Sequence, residues 1–167
     1  SHVVLTVDEL EQEELRRNPV DRCYLCKRRL FSDLKKFAEE KGCSTILDGT
    51  NEDDLHVYRP GIRALRELGI VSPLALCGMT KQEVKELAAR LGISAASRPS
   101  TPCMATRLPY GAEVSYELLK RIEGGEEYLR SLLDQGGKKG NIRLRIHADT
   151  ARIEVDEEQL LETVRKR

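Results

Sequence analysis

Helix-like and strand-like periods alternate from residue 27 to residue 92, and that alternation narrows the fold more than any other feature. In residues 27–42, "KRRLFSDLKKFAEEKG", apolar side chains recur one, four, seven and eight positions after Leu30, at Phe31, Leu34, Phe37 and Ala38. That spacing predicts an amphipathic helix, with Gly42 as its stop. Residues 43–51, "CSTILDGTN", follow as a short apolar strand running into a glycine turn. Residues 59–69, "RPGIRALRELG", predict a helix with Pro60 in its first turn. Residues 70–78, "IVSPLALCG", hold a short extended stretch. Residues 80–92, "TKQEVKELAARLG", predict a helix opened by a Thr80–Glu83 capping box and closed by Gly92. Upstream, "HVVLTV" at residues 2–7 reads as a strand, followed by a polar, helix-permissive stretch up to Pro19. Alternation of this kind predicts a parallel α/β sheet.

The pattern changes after Gly111. Residues 93–111 form a 19-residue loop with three prolines, a length that in a compact domain is usually functional or disordered. Beyond it, residues 114–135 predict a helix broken at Gly124 and Gly125, and "GGKKGN" (136–141) a turn or mobile loop. "IRLRIHAD" and "ARIEVD" alternate apolar and polar residues and predict a hairpin, followed by a final helix. The expected organisation is an α/β domain over residues 1–111 and a small α+β module over 112–167.

Of the 167 residues, 40% are apolar, enough for a packed core. The 28 basic and 28 acidic residues cancel, which argues against a mainly electrostatic nucleic-acid binder. No apolar run approaches the roughly 18 residues of a membrane span. Five cysteines without a secretory leader point to a reducing compartment, the cytoplasm, where a Cys-x-x-Cys is more often metal-binding or catalytic than a structural disulfide.

Cys23 and Cys26, in "PVDRCYLCKRRLF", stand three apart on the approach to the first long helix. The pair suits a redox dithiol, half of a zinc site, part of an iron–sulfur site, or two buried thiols. A structural zinc site needs four ligands, usually with a second close pair, and none follows. Cys103 lies in "SRPSTPCMATRLPYG", between Pro102 and Arg107, where prolines restrict the loop and a nearby guanidinium favours thiolate. Cys43 and Cys77 are expected to be core thiols. Ligands of parallel α/β sheets bind beyond the carboxyl ends of the strands. Asp48, Gly49 and Asn51 of "LDGTNEDD" fall there, as a polar ligand site or as a strand-to-helix turn with caps. Arg143 and Arg145 share one strand face; paired guanidinium groups suit phosphate or carboxylate, and a solvated face is the alternative. Glu123, Glu126 and Glu127 on the preceding helix could orient such arginines or merely be exposed.

The runs "NPVDRCYLCK", "DGTNEDDLHVYRPGIRALRELGIVSPL", "TKQEVKELAARLGI" and "PCMATRLPYG" together resemble the LarE-type ATP-dependent sulfur transferases of the PP-loop ATP pyrophosphatase superfamily, over nearly the whole chain. The resemblance implies a Rossmann-like PP-loop domain of the adenine nucleotide alpha hydrolase type. It implies that ATP, with magnesium, adenylates a carboxylate of a pyridinium dicarboxylate mononucleotide. Sulfur then displaces AMP to give a thiocarboxylate, on the way to the nickel-pincer nucleotide cofactor. In some members one cysteine, matched by Cys103, gives up its own sulfur. In others three cysteines, matched by Cys23, Cys26 and Cys103, hold a 4Fe–4S cluster that carries the sulfur, and the presence of all three favours that type. Arg143 and Arg145 match paired arginines that contact the substrate's phosphate, with Arg107 and Glu123 as further candidate substrate contacts. Asp48, Gly49 and Asn51 become candidate nucleotide contacts. A homo-oligomer is expected, and the sulfur donor is not specified.

The family's ATP-binding loop, Ser-Gly-Gly-x-Asp-Ser, occurs nowhere in these residues, so a partial sequence of a longer enzyme is expected, without ATP pyrophosphatase activity of its own. Two alternatives stand beside this reading: a PP-loop sulfurtransferase acting on tRNA, and a non-catalytic zinc- or nucleotide-binding fragment.

Overall fold

The computed structural model describes residues 2–98, 101–133 and 140–165. Its helices are α1 (Glu13–Arg16), α2 (Arg22–Glu40), α3 (Glu52–Leu55), α4 (Gly61–Glu67), α5 (Pro73–Leu76), α6 (Lys81–Arg90), α7 (Tyr116–Leu133) and α8 (Glu157–Arg165). Strands β1 (Ile142–His147) and β2 (Thr150–Val155) lie between the last two helices. The chain forms two compact units, one of residues 1–11 and 20–98, the other of residues 12–19 and 99–167. The loop leading to Gly111 and the short helix α1 therefore pack with the C-terminal elements.

In the first unit, α2 packs on α4. Tyr24 anchors the pair: its ring lies 3.7 Å beneath the Arg63 guanidinium, and its hydroxyl donates to Glu67 at 2.7 Å. Ala64 and Leu65 of α4 are fully buried. Gly61 permits the close approach, since a Cβ there would meet Lys27 Cδ at 2.8 Å and the Cys23 carbonyl at 3.1 Å. α2 begins five residues before the expected start, so both Cys23 and Cys26 lie inside it. The apolar spacing starts only at Leu30, but Arg22 to Arg29 contain no helix breaker, and buried Tyr24 fixes the extra turns. α6 opens with the Thr80–Glu83 capping box.

The strand content departs from expectation. Residues 2–7 form no strand among the described residues, and 2–6 are exposed: their β propensity finds no pairing partner. The runs around Leu47 and Val71 meet in a single parallel bridge, with Asp48 N–H donating to the Val71 carbonyl and Val71 N–H to Ile46, each at 3.0 Å. The structure is mixed helix and strand, and no parallel PP-loop sheet is present among the described residues.

The second unit is built on α7 and the β1–β2 hairpin. The strands pair antiparallel in a register that sets Arg143 opposite Glu154 and Arg145 opposite Arg152. α7 runs unbroken through Gly124 and Gly125, where a break was expected. The packing gives the reason: a Cβ on Gly125 would lie 2.6 Å from Leu144 Cδ2, so the missing side chain makes room for β1. Ile122, Leu133 and Ile142 form the core with Leu15, Leu108 and Val114. Most of the turn expected at 136–141 and the centre of the expected 93–111 loop, residues 99–100, lie outside the described residues.

Two substitutions test this packing. Gly61→Ala is expected to cost about 1 to 3 kcal/mol by overpacking α2 against α4, read from urea unfolding; an unchanged midpoint would contradict the close contact. Ala148, in the hairpin turn, holds a left-handed φ of 49° that L side chains disfavour. Ala148→Gly is expected to stabilise by about 0.5 to 1 kcal/mol, and a lower midpoint would contradict that turn geometry.

Candidate functional site

The second unit gathers Cys103 and the arginines around one buried carboxylate. Glu126 is 2% exposed and sits on α7 facing the turn Met104–Arg107. Arg107, equally buried, grips it with both edges: Nε to Oε1 at 2.6 Å and Nη2 to Oε2 at 3.1 Å. Arg130, one helical turn along, adds Nη2 to Oε2 at 3.1 Å. The Leu144 backbone N–H donates to Oε1 at 3.0 Å. That N–H points away from β2, so the carboxylate occupies the open edge of β1. Burial would raise the Glu126 carboxyl, but the Arg107 hydrogen bonds, the Leu144 N–H and the charges of Arg107 and Arg130 outweigh it and hold it below its ordinary range.

The same arginines fix the backbone at Cys103. Arg107 Nη1 donates to Thr106 Oγ1 at 3.0 Å and to the Pro102 carbonyl at 3.4 Å. Thr106 donates to the Cys103 carbonyl through both its hydroxyl, at 2.7 Å, and its N–H, at 3.0 Å. Arg145 closes the far side, with Nη1 to the Thr106 carbonyl at 2.5 Å and Nε to Glu154 at 2.7 Å. The hydrogen bond from Arg145 is the largest influence on Glu154. With the charges of Arg145 and Arg152 it holds that carboxyl below its ordinary range against the effect of burial. The peptide units on both sides of Cys103 are thus tied down while the residue itself is exposed. This arrangement can present a sulfur in a fixed place.

Arg143 and Arg145 share the strand face but not a role. Arg145 is committed to Glu154 and Thr106, whereas Arg143 is half-buried and lines a cleft of about 230 Å³ with Arg107, Arg130 and Asn141. Of the acidic candidates, Glu126 organises the arginines, while Glu123 and Glu127 are exposed on α7. The sequence reading passed over Asn18. It is fully buried at a left-handed φ of 46°, and its side-chain amide donates to the Pro109 carbonyl at 2.7 Å. Its own carbonyl accepts from Gly111 at 3.0 Å, so it holds the far end of the Cys103 loop. The Asn-Pro dipeptide, a turn signal, was the available clue.

In the first unit, Cys23 is exposed and Cys26 half-buried, one turn apart on α2, a spacing that places them on one helix face. Cys43 and Cys77, expected in the core, are both exposed: Cys43 follows the glycine that ends α2, and Cys77 caps the four-residue α5. Within either unit, among the described residues, no group of three or more His, Cys, Asp or Glu side chains gathers as a metal site. Asp48 lies at the end of the parallel bridge, accepting from Ser72 and Thr50 hydroxyls at 2.5 Å each. Asn51 forms a capping box with Asp54 at the start of α3. Gly49 is exposed and does not take a left-handed φ, so no crowding demands glycine there. None of the helices is long and apolar enough to cross a membrane, among the described residues.

No protein-family model matches the chain. Three known proteins align with nearly all of it. An uncharacterized protein of Synechocystis is 37% identical over 164 residues, covering 98% of this chain and 59% of its own length. An uncharacterized protein of Methanocaldococcus jannaschii is 37% identical over 154 residues, 92% of this chain and 58% of its own length. The third relative has a named reaction. It is the pyridinium-3,5-bisthiocarboxylic acid mononucleotide synthase of Lactiplantibacillus plantarum, 32% identical over 155 residues, 93% of this chain and 54% of that protein. The chain therefore spans somewhat more than half the length of the curated relatives it matches.

Glu126→Gln would leave the buried Arg107 charge poorly compensated and is expected to destabilise by about 3 to 5 kcal/mol, measured by denaturant unfolding. Because the folded-state carboxyl is lowered from an ordinary value of 4.5, its stabilisation is full above that value and is lost as pH falls through the lower folded value. An acid titration of stability in which the variant shows the same loss below pH 4.5 as the wild type would contradict this.

Proposed function

We propose that this chain is part of a sulfur transferase that converts a carboxylate of a pyridinium dicarboxylate mononucleotide into a thiocarboxylate. The observation that carries the reading is the alignment of 93% of the chain with a synthase of a pyridinium bisthiocarboxylic acid mononucleotide. The exposed Cys103, on a backbone tied at Pro102, Cys103 and Thr106, supplies a suitable place for the sulfur.

In the proposed reaction, a substrate carboxylate oxygen attacks the α-phosphorus of ATP and pyrophosphate leaves. A sulfur nucleophile then attacks the acyl carbon, and AMP departs with the bonding electrons. The ATP-dependent step belongs to the whole protein, of which this chain resembles somewhat more than half. Asp48, Gly49 and Asn51 are the proposed nucleotide contacts, at the end of the parallel bridge. Arg143, Arg145, Arg107 and Glu123 are the proposed substrate-side residues. On this structure Arg107 and Arg145 would act through the loop they hold, and Arg143 at the open cleft. A cytoplasmic homo-oligomer is the expected form.

A 4Fe–4S cluster calls for accessible thiolates. The residue types suit it, each described within its own unit: Cys23 is exposed and Cys26 half-buried one helical turn from it on α2, and Cys103 is exposed in the second unit. These three residues would hold the group, which when bound supplies an iron open to an additional sulfur. The exposure of Cys103 also favours a second route, in which the Cys103 thiolate displaces AMP at the acyl carbon to form a thioester, a base then removes the Cys103 Cα proton, and the Cβ–Sγ bond breaks with its electron pair leaving on the thiocarboxylate sulfur, so that Cys103 is left as dehydroalanine.

The test is mass spectrometry of the nucleotide after incubation of the whole protein with ATP and the pyridinium dicarboxylate mononucleotide. The product should gain the mass of one oxygen-to-sulfur exchange, and Cys103→Ser should abolish it. Loss of activity in Cys23→Ser and Cys26→Ser as well supports the three-cysteine route. Loss in Cys103→Ser alone, with desulfurised Cys103 in the wild type, supports the second. Undiminished product from Cys103→Ser would sink both.

A further inference from the structure

The β1–β2 hairpin has two outer edges, and only one of them is closed. On β1 the Leu144 N–H donates to Glu126, so it takes no part in the ladder to β2. Leu144 stands opposite Ile153. In an antiparallel pair, residues at such a position turn their backbone N–H and C=O away from each other. The backbone groups of Ile153, and by alternation those of Ala151 and Val155, therefore face outward from β2. Among the described residues these three make no backbone hydrogen bond to any further strand or loop. Thr150 to Ile153 are exposed, and Ile153 keeps 43% of its surface open although it shares the apolar face with Leu144. An open edge centred on isoleucine, with no proline and no bulge, is a template for another strand.

We propose that the partner for this edge is a second copy of the chain: two β2 strands pair antiparallel about a two-fold axis at Ile153 and join the hairpins into one continuous sheet. The strand is complementary to itself in that register alone. Symmetric pairing about Arg152 or about Glu154 would set like charges face to face across the axis. Pairing about Val155 would set Glu154 opposite the partner's Asp156, and pairing about Ala151 would set Ile153 opposite the partner's Asp149 in the turn. Pairing about Ile153 sets Arg152 opposite the partner's Glu154 on both sides of the axis, and isoleucine against isoleucine at the centre. It also sets Ala151 opposite the partner's Val155, so the outward groups of all three residues meet in hydrogen-bonded pairs. The exposed Leu160, Leu161 and Val164 of α8, the helix that follows β2, offer further apolar surface to a partner. Glu154 already accepts from Arg145 and from Arg152 of its own chain, each at 2.7 Å. The partner's Arg152 adds a guanidinium to the carboxylate that anchors Arg145, which in turn holds the Thr106 carbonyl of the Cys103 loop. The pairing rests on the hairpin and not on the proposed reaction, and it gives the expected homo-oligomer a surface and a register.

The experiment is oxidative crosslinking of the whole protein with copper–phenanthroline, read on non-reducing gels, beside sedimentation velocity. Residues facing each other at the axis have Cα atoms about 5.5 Å apart, within disulfide reach. Ile153→Cys is therefore expected to give a covalent dimer well above the background set by the protein's own cysteines. Arg152→Cys should crosslink at least about fivefold less, because the two copies of residue 152 lie diagonally, roughly 7 to 8 Å or more apart. Ile153→Lys places two ammonium groups against each other and should reduce the number of subunits to about half. The crosslink is read on the native assembly, so it does not depend on how Ile153→Lys folds. A monomeric wild type, no excess crosslink from Ile153→Cys, equal crosslinking from the two cysteine variants, or an unchanged subunit number in Ile153→Lys overturns the assignment. A monomer whose Ile153 amide is protected from hydrogen exchange would mean that another segment of the same polypeptide takes the edge, and overturns it too. None of these readouts requires sulfur transfer, so they fail or succeed separately from the proposed reaction.

Discussion

The Glu126 carboxylate is the point on which the second unit turns. A buried carboxylate is costly unless charge and hydrogen bonds compensate it. Here compensation comes from three parts of the chain: Arg107 on the short turn after Cys103, Arg130 on α7 itself, and the edge N–H of Leu144 on β1. The carboxylate can be satisfied only when turn, helix and hairpin are in their places. It therefore couples the position of an exposed loop thiol to the packing of a hydrophobic core made of Ile122, Leu133 and Ile142. Arg107 and Arg145 extend that coupling to the Pro102 and Thr106 carbonyls.

The two sets of cysteines are placed by different physics. Cys23 and Cys26 need no tether, because helical geometry alone puts residues three apart on one face, and the Gly61 contact and Tyr24 lock that helix against α4. Cys103 precedes only the short turn Met104–Arg107, so its position depends on side chains of that turn and on others reaching in from outside the loop. Asn18 does this from upstream, at the Leu108–Gly111 end, and the arginines do it at the Cys103 end. Both arrangements hold their cysteines on a defined backbone.

Periodicity made much of the fold legible. The hairpin, the Thr80–Glu83 capping box and the helical runs follow from spacing and capping chemistry, which are local. What failed depends on partners. Residues 2–7 have strand composition but pair with nothing among the described residues, and the runs at Leu47 and Val71 reach only a bridge. Gly124 and Gly125 look like a break until Leu144 is seen against Gly125. At the candidate site, the residue types around Cys103 pointed to sulfur and anion chemistry, and three glutamates were eligible to orient arginines. Only the packing of α7 selects Glu126 over Glu123 and Glu127, and although the hairpin register sets Arg143 opposite Glu154, it is Arg145 that bonds Glu154 and Thr106 while Arg143 lines the cleft.

Residue-resolved amide hydrogen exchange in Glu126→Gln, compared with the wild type, tests this coupling most directly. The amides to follow are those of Leu144, which donates to Glu126, and Thr106, which donates to the Cys103 carbonyl. If one carboxylate holds both, the substitution speeds exchange at Leu144 and Thr106 together, by a similar factor. Faster exchange at Leu144 with unchanged protection at Thr106 would mean that the Cys103 loop keeps its shape without Glu126, and would contradict the account.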